Sequence, residues 1–185
     1  MHLDIGSGDG RGPYRWALSE PERLFIASDA NPDALLETAW KAGRKPARGG
    51  VSNLVCVAEP LDVLAPALGV IADRLSVILP WGSLLETVAI PRQESLRNLS
   101  MLCLPHATIE IVLSYDERNA ERLDERHVVE TLPRLYQQAG LRITGVEKLG
   151  NEDLRKYETT WARRLAFGRT RDIWRILAVL GRVTR

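Results

Sequence analysis

The chain of 185 residues is short of the side chains from which metal centres and acid–base triads are built. Its three histidines, His2, His106 and His127, are scattered without ligand spacing, so no metal site is expected. Its two cysteines, Cys56 and Cys103, each sit in an apolar stretch and read as buried free thiols of a reducing compartment. No apolar run approaches the ~20 residues needed to span a bilayer. The opening MHLDIGSG has neither the basic nor the apolar region of a signal peptide, so a cytoplasmic location is expected. Repeats and low-complexity tracts are also lacking. A net charge of +1 by itself favours no class of partner.

What is there is an alternation of short apolar runs with longer stretches of helical spacing, the pattern of an α/β domain with a mainly parallel sheet. Strands are expected at 2–5, 24–28, 54–58, 75–79, 108–114, 142–146 and 173–183. Helical spacing marks 32–40, 93–103 and 125–139; in the last, Val128, Leu132, Leu135 and Ala139 share one face. Asn31-Pro32 is a start signal and Gly140 a stop signal. One domain over 1–185 is expected, with no N-terminal extension. Its long connector at 150–171 exceeds what a compact domain needs, which points to a functional segment.

LDIGSGDGRG, residues 3–12, follows a strand and precedes a helix-like stretch. Gly6, Gly8 and Gly10 permit tight turns and close ligand approach. A dinucleotide fingerprint would require glycine where Arg11 stands. Asp4 and Asp9 would repel a pyrophosphate but suit a ligand with an ammonium group, as in S-adenosylmethionine. Asp29, closing the second strand, sits where an acid accepts hydrogen bonds from ribose hydroxyls. Asp62 is either an adenine contact or a helix cap.

LSVILPWGSLLE, residues 75–86, places Trp81 at the mouth of a strand between two backbone breakers. In an open α/β sheet that rim is where ligands bind. Trp161 lies among Arg163, Arg164, Arg169 and Arg171, a pattern suited to base stacking flanked by phosphate contacts. Either ring would alternatively serve as an apolar anchor. Trp16, Trp40 and Trp174 are expected in the core. Charge is concentrated in two islands, +4 over residues 41–50 (Lys41, Arg44, Lys45, Arg48) and +6 over 161–185, each taken as adjoining a candidate site. Such islands favour a polyanionic partner. An enzyme that modifies a base in folded RNA must extrude it, and two indoles could sandwich the extruded ring.

DIGSGDGR (4–11), KPARGGVSNL (45–54), ILPWGSLLE (78–86) and WARRLAFGRTR (161–171) together resemble the aminoglycoside-resistance methyltransferases that modify N1 of adenine 1408 in 16S rRNA. The resemblance spans nearly the whole chain. It implies a Rossmann-like, seven-stranded class I methyltransferase fold and S-adenosylmethionine as donor, S-adenosylhomocysteine being the product. It further implies that Trp81 and Trp161 hold the flipped adenine and that Ser83 and Thr160 lie near the reacting centre. Asp4, Gly6, Gly8, Asp9, Asp29, Asp62 and Leu79 would then form the cofactor pocket. Arg171 would grip a distorted phosphate, with the other island residues on 16S rRNA in the assembled 30S subunit; no obligatory protein partner is expected. The family hairpin expected before the first strand is not among these residues, and Glu59-Pro60-Leu61 stands where small residues are expected. Two rival readings are a methyltransferase acting on a small molecule and a non-catalytic 30S-binding protein.

Overall fold

A computed structural model describes residues 1–114, 124–157, 159–160, 162 and 172–181. Seven strands form one sheet: β1 (His2–Ile5), β2 (Phe25–Ser28), β3 (Leu54–Val57), β4 (Ala72–Ile78), β5 (Cys103–Ser114), β6 (Leu141–Lys148) and β7 (Ile173–Leu180). Their order is β3-β2-β1-β4-β5-β7-β6. β7 runs antiparallel to both β5 and β6; the other pairings are parallel. The order reverses direction between β1 and β4, which opens a crevice at the carboxyl ends of those two strands.

The helices are α1 (Arg11–Ser19), α2 (Pro32–Ala42), α3 (Leu61–Leu68), α4 (Gly82–Ala89), α5 (Gln93–Leu102), α6 (Leu132–Gln138) and the single turn α7 (Asn151–Leu154). The Asn31 side chain accepts from Asp33 N–H at 3.1 Å, with Pro32 opening α2. Gly140, in the left-handed region at φ 79°, ends α6 as its position requires. Before α6, His127–Thr131 form a wider π turn. Proline at 133 has no N–H to donate, so the usual ladder cannot run through that point.

Each face of the sheet is covered differently. Leu3, Leu75, Val77, Ile109, Ile111 and Ile176 are buried in the main core together with Leu64, Leu96, Leu99, Leu132 and Tyr136 of α3, α5 and α6. The opposite face carries α1 and α2 over β1–β3. Over β4, β5 and β7 it carries Leu154 and Ala162, in a second cluster with Ile78, Leu79, Val112 and Ile173. The connector, expected to be functional with little core of its own, thus places Leu154 and Ala162 in the interior. Cys103 is buried and its thiol is pushed up to about 12 by burial; both cysteines are free.

Of the three tryptophans expected inside, Trp174 is buried and Trp16 stacks on His2 at 4.8 Å between ring centroids. Trp40 is not in the core: it is 68% exposed. The buried face of α2 is Leu35, Thr38 and Ala42. At about 100° per residue, Trp40 points roughly 140° away from Leu35.

Candidate active site

The glycine turn leaves β1 at the crevice, and its glycines have different tasks. A methyl group added at Gly6 would collide with the Leu84 side chain of α4, and one at Gly10 would press on Leu35 and Thr38 of α2. At Gly8 it would meet no protein atom within 4 Å, so packing does not demand glycine there. What demands it is the left-handed φ of 58°, and the space beside it is open.

Asp29 faces this turn. Its Oδ2 accepts from Gly8 N–H at 2.8 Å and its Oδ1 from Asn31 N–H at 2.9 Å. A carboxylate offers about four acceptor positions, so two remain for a pair of hydroxyls while the group is already held in place. Asp62 is exposed in the first turn of α3, and the helix cap is Pro60 instead.

Asp9 is engaged otherwise than as a free anionic partner. Its Oδ1 accepts from Arg11 N–H at 3.2 Å, and its Oδ2 accepts from the Thr160 hydroxyl. It thereby latches the connector to the glycine turn. Asp4 lies beneath the turn, buried, with its Oδ1 accepting from Ser76 Oγ. Ser76 Oγ is also hydrogen-bonded to His2 Nε2 at 2.9 Å. Burial holds His2 neutral, its pKa pushed down to about 3, with Arg74 and Arg23 adding to the effect. Burial pushes Asp4 up to about 7, against the Ser76 bond and helped by Glu110 and Asp29.

A carboxyl that holds its proton more tightly folded than unfolded lowers stability as pH rises from the ordinary carboxylate range to about 7. Asp4→Asn removes that penalty. It is expected to melt higher than the parent at about pH 8 and equally near pH 4, as thermal scans would show. Because the ionised form attracts a cationic ligand, parent affinity for such a ligand should weaken below about pH 7, whereas that of the variant stays flat.

At the end of β4 the chain turns sharply. Leu79 has φ 53°, a left-handed conformation that costs a leucine ~1–3 kcal/mol. Its side chain is buried in the second cluster, and its N–H donates to Val112 O at 2.8 Å, which hold the turn. Pro80 is buried and Trp81 emerges 71% exposed on the rim, immediately before α4. Ser83 is exposed in the first turn of that helix and lines a groove with Glu86, Thr87, Arg92 and Ser95.

The connector reaches the same rim. Its base is closed by Leu149 N–H on Ile173 O at 2.8 Å, and by a Lys148–Asp172 ion pair at 2.6 Å. Tyr157 donates to Glu110 Oε1 at 2.6 Å, and Arg175 spans the same oxygen at 2.7 Å and Glu147 at 2.8 Å. Burial and Glu110 push the Tyr157 phenol well above its ordinary range. Thr160 is tied to Asp9, Ala162 is buried, and Ala162 N–H donates to Thr159 Oγ1 at 3.0 Å. Trp161, Arg163, Arg164, Arg169 and Arg171 lie outside the described residues. Tyr157→Phe is expected to cost about 1 kcal/mol of stability. Ligand affinity at the glycine turn should be kept, as equilibrium melting and binding titration would show.

The first basic island does not adjoin the crevice. Lys41 closes α2 and Arg44, Lys45 and Arg48 follow it, all exposed. The eleven residues of α2 carry the chain ~16 Å away from Asn31, towards the opposite ends of the strands. Missed altogether from the sequence were Ser76, Glu110 and Tyr157. Ser76 and Glu110 had a visible signal, since each is a polar residue inside an otherwise apolar strand. Among the described residues no group of three His, Cys, Asp or Glu could hold a metal, and no helix is long and apolar enough to cross a membrane.

A glycine turn with an acid just past β2 suits a nucleoside ligand in the crevice, and comparison with known proteins decides which kind. The family model described as NpmA, 16S rRNA (adenine(1408)-N(1))-methyltransferase, matches residues 1–180. The chain belongs to this family. A member from Escherichia coli is 33% identical over 186 residues, covering 95% of this chain and 85% of that protein. The Catenulisporales acidiphilia 16S rRNA (adenine(1408)-N(1))-methyltransferase, solved as a tryptophan-to-alanine mutant with its cosubstrate S-adenosylmethionine, superposes with a TM-score of 0.88. That pair shares 31% identity over 100% of this chain and 87% of the other. The aminoglycoside resistance methyltransferase NpmB1 superposes with a TM-score of 0.82 at 33% identity, covering 97% and 86%. The seven-stranded sheet is accordingly that of the class I methyltransferases.

Proposed function

We propose that this chain transfers a methyl group from S-adenosylmethionine to N1 of adenine 1408 of 16S rRNA, in the assembled 30S subunit and in the cytoplasm, and so confers aminoglycoside resistance. The observation that carries the reading is Trp81: a large apolar ring held 71% exposed beside the glycine turn by a strained backbone at Leu79. An indole kept out of the core at a structural cost needs a flat partner, and an extruded purine is one.

S-adenosylmethionine fits the residues present and, when bound, supplies a methyl group already activated on a sulfonium. Asp29 would take the ribose hydroxyls, the backbone at Gly6 and Gly8 would line the aminoacyl end over buried Asp4, and Asp62 would reach the adenine edge. Trp81 and Trp161 would stack on the target base, with Ser83 and Thr160 beside it. The arginines 163, 164, 169 and 171 would hold phosphates beside the target base, and the island of Lys41, Arg44, Lys45 and Arg48 phosphates farther along the RNA. Adenine N1 has a free lone pair at neutral pH, so no residue need act as a base. The residues of this chain contribute by positioning, for which effective molarities allow roughly 7–11 kcal/mol.

Labelled S-adenosylmethionine should mark intact 30S subunits in preference to free 16S rRNA, since the site is read largely by RNA shape. Primer extension should then stop at adenine 1408. Labelling of small molecules without RNA, or binding to 30S with no transfer, would establish one of the two rival readings instead.

A further inference from the structure

Trp40 has no place in the site just described. On the outer side of α2, Leu36 and Trp40 lie four residues apart, 61% and 68% exposed, and Arg44 follows just past the end of the helix. The Arg44 guanidinium lies 3.7 Å from the centroid of the Trp40 ring. Around them Lys41, Lys45 and Arg48 are exposed, and the sequence holds no acidic residue between positions 38 and 58.

The segment that carries these cations is folded tightly back. Arg48 N–H donates to Lys45 O at 2.8 Å, Gly50 N–H to Lys45 O at 3.2 Å and Val51 N–H to Ala42 O at 2.9 Å. A side chain at Gly50 would run into the Arg44 carbonyl. The indole and its cations are thus presented on a fixed platform, with little ordering left to do on binding.

We propose that the Trp40–Arg44 pair is a second stacking surface, which takes the flat face of an RNA nucleotide remote from the target adenine. The inference rests on the functional reading above. A guanidinium-capped indole surrounded by cations suits nucleotide stacking with phosphates alongside. An apolar protein partner would leave the lysines and arginines unpaired, which disfavours it. The ~16 Å length of α2 separates this surface from the crevice, so it adds docking affinity and takes no part in the transfer.

The test compares binding of the full chain and its variants to purified 30S subunits over a range of salt concentrations. Trp40→Ala is expected to bind about tenfold more weakly, whereas Trp40→Tyr retains most of the affinity. The salt slope of Trp40→Ala should match the parent, because stacking releases no counterions; Lys45→Ala should lower the slope by about one. Melting temperature and S-adenosylmethionine affinity serve as controls for the fold. A photocrosslinker placed at position 40 should label 16S rRNA. Parental 30S affinity in Trp40→Ala, a loss that only follows a loss of fold, or crosslinking to a ribosomal protein would each overturn the proposal. Failure of the parent itself to bind 30S would instead overturn the functional reading on which it rests.

Discussion

Trp81→Ala will bind S-adenosylmethionine as the parent does, yet methylate 30S subunits at least about a hundredfold more slowly. Stacking on one face of a base is worth roughly 1–3 kcal/mol, and extruding a base costs a few kcal/mol. Losing one face therefore reverses a balance that is already close. The remaining base would also be free to tilt, and an ångström of misplacement alone can cost about 10²-fold. The alanine should be structurally harmless, because Trp81 is 71% exposed and makes no side-chain cap for α4. Trp161→Ala is expected to behave alike if the two rings share one base. Unchanged single-turnover rates on 30S in both variants would remove the sandwich from the mechanism.

Asp29→Ala should fail one step earlier. The carboxylate would lose its two charge-assisted contacts to ribose, each worth ~1.5–3 kcal/mol, so cofactor affinity should fall by roughly 10²–10⁴-fold. It would also release Gly8 N–H, whose present partner is Asp29 Oδ2. The turn would then lose its tie to β2 as well as its ligand contact. Asp29→Asn keeps one acceptor and the side-chain shape, so an intermediate loss is expected. Calorimetric titration with S-adenosylhomocysteine separates the cases. Parental affinity in Asp29→Ala would place the ribose elsewhere.

The seven strands were legible because each core segment is an apolar run, and β1, β3 and β7 start where expected; the starts of β4 and β5 were not legible. β4 and β5 begin earlier than their apolar runs, at Ala72 and Cys103, through residues that are largely exposed. The register shifts between Ala72 and Arg74, and His106 has φ 67°; neither irregularity has a sequence signature. α3 was hidden by Pro66 inside it, and α4 by the Pro80-Trp81-Gly82 punctuation, which marks its start and not a loop.

The glycine turn, Asp29 and Trp81 were readable because local punctuation fixes them. The ties that surround them were not. Ser76 reaches Asp4 and His2 from more than seventy residues away, and Tyr157 reaches Glu110 across 47. Such pairs exist only once the sheet has formed. Trp40 was misread because it was judged by residue type, when its angle from Leu35 on α2 would have shown it facing out.

The antiparallel pairing of β6 with β7 has a consequence for how members of this family can diverge. Two neighbouring antiparallel strands could be joined by a tight turn; here everything from 149 to 172 is inserted between ends already fastened by Leu149 and Ile173. Lengthening such an insert costs only about 0.6 kcal/mol per doubling. Natural variation can therefore change this insert without unfastening the sheet, and a chimaera exchanged at those two residues keeps the donor pocket only where the incoming segment replaces the contacts of Leu154, Tyr157 and Thr160.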